Sequence, residues 1–159
     1  MQAVVSTMNN QPGKLRVLFL CTGNSCRSQM AEGWAKALRG EAIEAYSAGV
    51  QPHALDPLAV QAMSEAGVDI SMHKSKHVDA LKDIRFDYVV TVCGHAQETC
   101  PMFPGQAKVV HVGFDDPPLL ARTAATAAEA FGHYRRVRDE IRRMVEGIPA
   151  TLTGKGIQL

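Results

Sequence analysis

Long apolar runs, an excess of either charge and any division of the chain are all missing from these 159 residues. The longest apolar stretches, such as Val17 to Cys21, stop at about five residues, whereas crossing a bilayer takes roughly 18. A membrane span is therefore excluded. Residues 1–14 lack the basic start and apolar stretch of a signal peptide, so a cytoplasmic location is expected. Seventeen Lys and Arg against sixteen Asp and Glu leave a net charge of +1, too little for charge-driven attachment to nucleic acid or an anionic membrane. Any anion site must be local. No repeat or linker divides the chain, and its length matches the roughly 100 to 200 residues of one domain. A monomer is expected. What is present, 46% hydrophobic and 21% charged residues, is the composition of a soluble globular protein. At this size roughly two thirds of the unfolded chain's surface can be buried, so no disulfide or metal staple is needed. The four cysteines must serve chemistry, and in a reducing compartment that means catalysis, redox exchange or metal binding.

Residues 1–14 are polar, end near Pro12-Gly13 and read as a flexible leader. Leu15 to Cys21 is a short β-branched and aromatic run of the kind that forms a buried parallel strand. Met30, Trp34 and Leu38, with Ala31 and Ala35, then recur at helical spacing up to Gly40. Ile43 to Val50 reads as a second strand. Asp56-Pro57 supplies an N-cap and a first helical residue, with Ala59, Ala62, Met63 and Ala66 facing inward and Gly67 at the end. A weaker helical patch lies around Val78 and Leu81. Asp87 to Gly94 and Lys108 to Phe114 are the third and fourth strands. Thr126 and Glu129 form a capping box for a last helix carrying Phe131, Tyr134, Val137, Ile141 and Val145 on one side, its arginines turned to solvent. Strands alternating with helices predict a three-layer α/β fold, a four-stranded parallel sheet with helices on both faces. A single domain at residues 15–148 and a tail at 149–159 follow. Ligands of such folds sit beyond the carboxyl ends of the strands.

The sharpest motif is C-T-G-N-S-C-R-S, Cys21 to Ser28, joining the first strand to the first helix. Gly23 permits a tight turn, so the N–H groups of Thr22, Gly23, Asn24, Ser25 and Cys26 can converge on a tetrahedral oxyanion. Arg27 adds a planar fork that takes two oxygens at once. Cys21 is aimed at the central atom as a nucleophile, the same positive field favours its thiolate, and the Ser28 hydroxyl can bond its sulfur. Asp115-Asp116-Pro117 follows the fourth strand. Asp116 is the candidate acid for a departing oxygen, on a loop held stiff by Pro117. Cys93 and Cys100 form the third signal. Seven residues along a helix span about 10.5 Å, and a disulfide needs Cα atoms roughly 4.4 to 6.8 Å apart, so bridging them requires unwinding, for which Gly94 and Pro101 are suited. A zinc site of Cys93, His95, Cys100 and His111 has cysteines too widely spaced, and two inert core cysteines remain an alternative. Cys26 reads most simply as a buried hydrophobe. His53, His73, His77 and His133 carry no motif. No metal or cofactor is expected.

The run Cys21 to Ala35 resembles the thioredoxin-coupled arsenate reductases, which share the low-molecular-weight tyrosine phosphatase fold. Tyr46 to Gly49, Val89 to Gly94, Cys100-Pro101, Gly113 to Pro117 and Arg136 to Ile141 are similar too, so that the likeness covers residues 15 to 146. Phosphatases of this fold carry aromatic residues after the Asp-Pro pair, where this chain has Pro118 and Leu119. The resemblance implies that Cys21 attacks arsenate while Asp116 protonates the departing oxygen. Cys93 then attacks Cys21 to release arsenite, Cys100 resolves the disulfide, and thioredoxin reduces the Cys93–Cys100 bond. It also implies a potassium site at Asn24, Glu32 and Ser47 in some members, with Lys76 here standing where they have an Asp. Two other readings stand beside this one: a phosphatase using only Cys21, Arg27 and Asp116, and a redox or zinc-binding regulatory module built on Cys93, His95 and Cys100.

Overall fold

Every residue from Val17 to Cys21 is buried, which a strand achieves only when it has neighbours on both edges and layers on both faces. β1 (Leu15–Cys21) accordingly lies inside a sheet with β2 (Ile43–Gly49), β3 (Tyr88–Thr91) and β4 (Lys108–His111), in the order β2-β1-β3-β4 and parallel throughout. The computed structural model describes residues 13–94 and 107–153. Alternation along β1 divides the core. Val17, Phe19 and Cys21 pack with α1 (Arg27–Arg39), α2 (Pro57–Glu65) and α4 (Ala127–Glu146), while Leu18 and Leu20 meet Ala48, Phe86 and Val89 under the 3-10 turn Val78–Leu81. Successive strand side chains point to opposite faces, so both layers are dictated by one seven-residue run.

α1 buries Met30, Ala31, Trp34 and Ala35, and Trp34 Nε1 donates to Arg138 O at 3.1 Å, locking α1 to α4. Asp56 caps α2 by accepting from Leu58 N at 2.9 Å. Thr126 caps α4 by accepting from Glu129 N at 3.0 Å, and Glu129 Oε1 reaches back to Ala125 N, one residue beyond the usual box partner.

Several expectations are amended. β3 and β4 stop at Thr91 and His111, short of Gly94 and Phe114, because the chain beyond them turns off to build the sheet's functional edge. Asp116-Pro117 opens a five-residue helix, α3 (Pro117–Ala121), where a stiff loop is expected; proline at the first helical position is the signal. Arg138 does not face solvent. It is 9% exposed and donates to Ala62 O and Glu65 Oε2, both at 3.0 Å. Ile148 and Leu152 belong to the core, so packing continues into the expected tail. No helix among the described residues is long and apolar enough to cross a membrane. His95, Cys100 and Pro101 lie outside the described residues.

Candidate active site

Cys21 ends β1 and α1 begins at Arg27, so five residues must turn the chain around. Asn24 adopts φ 51 within this loop, a left-handed conformation that asparagine tolerates better than most residues. Its side chain justifies the choice. Oδ1 accepts from Lys76 N at 2.9 Å and Gln29 Nε2 at 3.1 Å, and Nδ2 donates to Ser28 Oγ at 2.8 Å and Ser47 Oγ at 3.0 Å.

The loop's carbonyls all find partners outside it. Thr22 O, Gly23 O and Ser25 O accept from the backbone N–H groups of Gln51, His53 and Asp56 at 2.9, 2.9 and 3.0 Å. Asn24 O accepts from Ser75 Oγ at 2.6 Å and Gln29 Nε2 at 3.1 Å. A trans peptide sets each N–H opposite the preceding C=O, so carbonyls turned outward leave the N–H groups of Gly23 to Cys26 on the inner side. That is an anion nest at a helix N-terminus. The segment 51–56 acts as a strap along it, and a side chain at Gly49 would come within 2.5 Å of Thr22 O.

Arg27, 5% exposed, closes the far side. Its Nη1 donates to Phe114 O at 3.0 Å and its Nη2 stands 3.5 Å from Asp116 Oδ1. Asp115 instead pairs with Arg136 at 3.1 Å. Cys21 Sγ lies 3.1 Å from Ser28 Oγ. That oxygen also accepts from Asn24 Nδ2 at 2.8 Å, so Ser28 links Cys21 to Asn24. Burial, then the carboxylates of Asp56 and Asp116, push the Cys26 thiol well above its ordinary value, so Cys26 stays neutral. Behind the loop, Ser47 Oγ donates to Glu32 Oε1 at 2.5 Å, Lys36 Nζ meets Glu32 Oε2 at 2.6 Å and Lys76 Nζ donates to Ser47 O at 3.0 Å.

Cys21, Thr22, Gly23, Ser25, Cys26, Arg27 and Asp116 thus come together at one cavity of about 980 Å³. Cys93 is fully buried just past Val92, whose N–H donates to Leu20 O at 3.0 Å, and so lies at the same sheet edge as Cys21. Sequence reasoning missed the strap, its anchor and the rim. Asp56 Oδ2 accepts from Tyr134 OH at 2.7 Å, tying the strap to α4, and the tyrosine hydroxyl is pushed up by burial and by that carboxylate. Arg122 and His53 line the outer cavity; neither sits in a motif that marks it.

The sequence profile described as low molecular weight phosphotyrosine protein phosphatase matches residues 16–156. The chain belongs to that family. Within it, an arsenate reductase of Bacillus subtilis is 52% identical over 125 residues, covering 79% of this chain and 88% of that one. A solved arsenate reductase in its phosphate-binding state superposes with a TM-score of 0.71 at 30% identity, covering 86% of this chain and 98% of that one. A thioredoxin-dependent arsenate reductase of Corynebacterium glutamicum gives 0.60 at 25% identity, covering 93% of this chain and 68% of that one. The family's phosphatase fold therefore comes here with relatives that are reductases.

Proposed function

We propose that this protein reduces arsenate to arsenite, using Cys21 as nucleophile and thioredoxin as the source of electrons. The observation that carries the reading is the nest of inward amides around Cys21, with Cys93 at the adjoining strand end. The loop amides and Arg27 hold the oxyanion. Cys21 attacks arsenic, and Asp116 protonates the oxygen that leaves as water. Cys93 then attacks the Cys21 sulfur. The S–As bond breaks with its electron pair on arsenic, arsenite departs, and a Cys21–Cys93 disulfide remains. Cys100 attacks Cys93 and frees Cys21, after which thioredoxin's dithiol reduces Cys93–Cys100 by exchange. The named relatives, one of them thioredoxin-dependent, support this reading over a phosphatase that needs no distal cysteine.

The test is arsenate-dependent NADPH oxidation with thioredoxin and thioredoxin reductase, wild type against Cys93→Ser, with p-nitrophenyl phosphate hydrolysis in parallel. Turnover lost in the variant while ester hydrolysis persists is the expected result. Ester hydrolysis with no arsenate-dependent oxidation in the wild type would overturn the reductase reading.

A further inference from the structure

Two carboxylates, Asp56 and Asp116, line the cavity in which the loop holds its oxyanion, and like charges so placed repel. Asp116 is paired with Arg27. Asp56 has no cation partner among the described residues, yet it cannot leave, because its backbone N–H fastens Ser25 O at 3.0 Å. Its carboxylate takes neutral donors instead. Oδ1 accepts from Leu58 N at 2.9 Å, as the cap of α2, and Oδ2 accepts from Tyr134 OH at 2.7 Å. Asparagine caps a helix equally well, so the cap does not account for the charge. Tyr134 is 2% exposed and its ring stacks on Phe131 with centroids 6.3 Å apart, so α4 fixes where the hydroxyl stands. A buried hydroxyl needs an acceptor; this acceptor also fastens the anion loop and lines its cavity.

A hydroxyl that donates to a carboxylate draws its charge toward the donor and fixes the direction it faces. Without Tyr134, Oδ2 is free to turn into the cavity and oppose the incoming anion. We propose that Tyr134 is a positioning residue that restrains the Asp56 charge and thereby sets how tightly the loop binds its oxyanion. The retained charge has a use at the loop. After burial, it is the main influence that keeps the Cys26 thiol protonated, so that Cys26 does not compete with Cys21 as a nucleophile. The restraint acts on capture and has no part in the passage of electrons. The proposal rests on the loop as an oxyanion site, which the reductase reading shares.

The experiment is a calorimetric titration of the reduced full chain with inorganic phosphate, comparing wild type, Tyr134→Phe, Asp56→Asn and the double variant. Tyr134→Phe is expected to weaken phosphate about three- to tenfold, with KM for arsenate rising in step and kcat falling by less. Asp56→Asn keeps the cap and removes the charge, so it should bind phosphate at least as tightly as wild type. The double variant should then match Asp56→Asn within about twofold. That rescue decides the matter, since a hydroxyl serving only to tie α4 to the strap would be missed equally in both backgrounds. An unchanged Kd in Tyr134→Phe, or a double variant as weak as Tyr134→Phe, overturns the proposal and leaves the reductase reading intact. A wild type that binds no phosphate overturns the loop as an oxyanion site, and with it both readings. Rescue without arsenate-dependent oxidation supports the charge restraint and removes the reductase reading alone.

Discussion

Lys76 sits behind the anion loop against Asn24 and Ser47, two of the residues to which the resemblance assigns a potassium site in some members. Its backbone N–H holds Asn24 Oδ1 and its ammonium donates to Ser47 O, while Glu32 is bridged by Ser47 and Lys36. Burial lowers the Lys76 pKa from its usual value, with Glu32 opposing the shift. We propose that this tethered cation makes a dissolved one redundant. Exchanging potassium for tetramethylammonium at constant ionic strength is therefore expected to leave the arsenate-dependent rate unchanged; a severalfold rise in potassium would refute this. At this scale the sequence was readable where a residue's partners are near in the chain, as with Cys21 and Ser28. It was unreadable where they are remote. Asn24 takes its conformation from Ser47 and Lys76, and nothing in its own motif names either of them.

Between α2 and α4 the linkage is ionic as well as apolar. Glu65 on α2 accepts from Arg135 Nε at 2.9 Å and from Arg138 Nη1 at 3.0 Å. The hydrogen bond from Arg135, then that from Arg138, holds its carboxyl down to about 2, against an ordinary 4.5. A carboxyl whose folded pKa is depressed stabilises the fold fully above its unfolded pKa and ceases to do so as pH falls through the folded value. The window is thus about 4.5 down to about 2. Glu65→Gln is expected to lower the melting temperature modestly at pH 7, since the pair is solvent-exposed, and the gap to wild type should close on acidification through that window. A gap of constant size from pH 7 to pH 2.5 would show that Glu65 acts through packing alone. Helical spacing identified the apolar stripe of α4 but missed Arg138 beside it, because periodicity registers apolar side chains and is blind to a buried cation that, besides its neighbour Asp139, is held by Ala62 and Glu65 on another helix. The short α3 escaped for a different reason. Five residues are too few to display a period at all.

Across the whole molecule, loop, strap and α4 form one mechanical unit, since three of the loop's carbonyls hang on residues 51–56 and Asp56 hangs on Tyr134. An anion bound in the loop should therefore stabilise the entire fold. Saturating one site at a hundredfold excess over Kd contributes about 2.7 kcal/mol, roughly 5 to 10 °C in Tm for a chain of this size. Inorganic phosphate is the probe, and Arg27→Ala should abolish the shift; an equal shift in the variant would place phosphate elsewhere. The parallel sheet and its carboxyl edge were legible from the alternation of strands and helices, and the anion loop from eight contiguous residues. The strap, Tyr134 and Arg122 were not, because they join the site only through tertiary contacts. The outward carbonyls carry one more consequence. A cradle built of backbone amides gauges charge and tetrahedral shape, and those are properties that arsenate shares with the far more abundant phosphate and sulfate of a cell. On the proposed reaction, discrimination is thus deferred until after capture and made by electrons: arsenic(V) yields to a thiol and phosphorus(V) does not, so the wrong anion is a competitor for the seat and never an oxidant of Cys93.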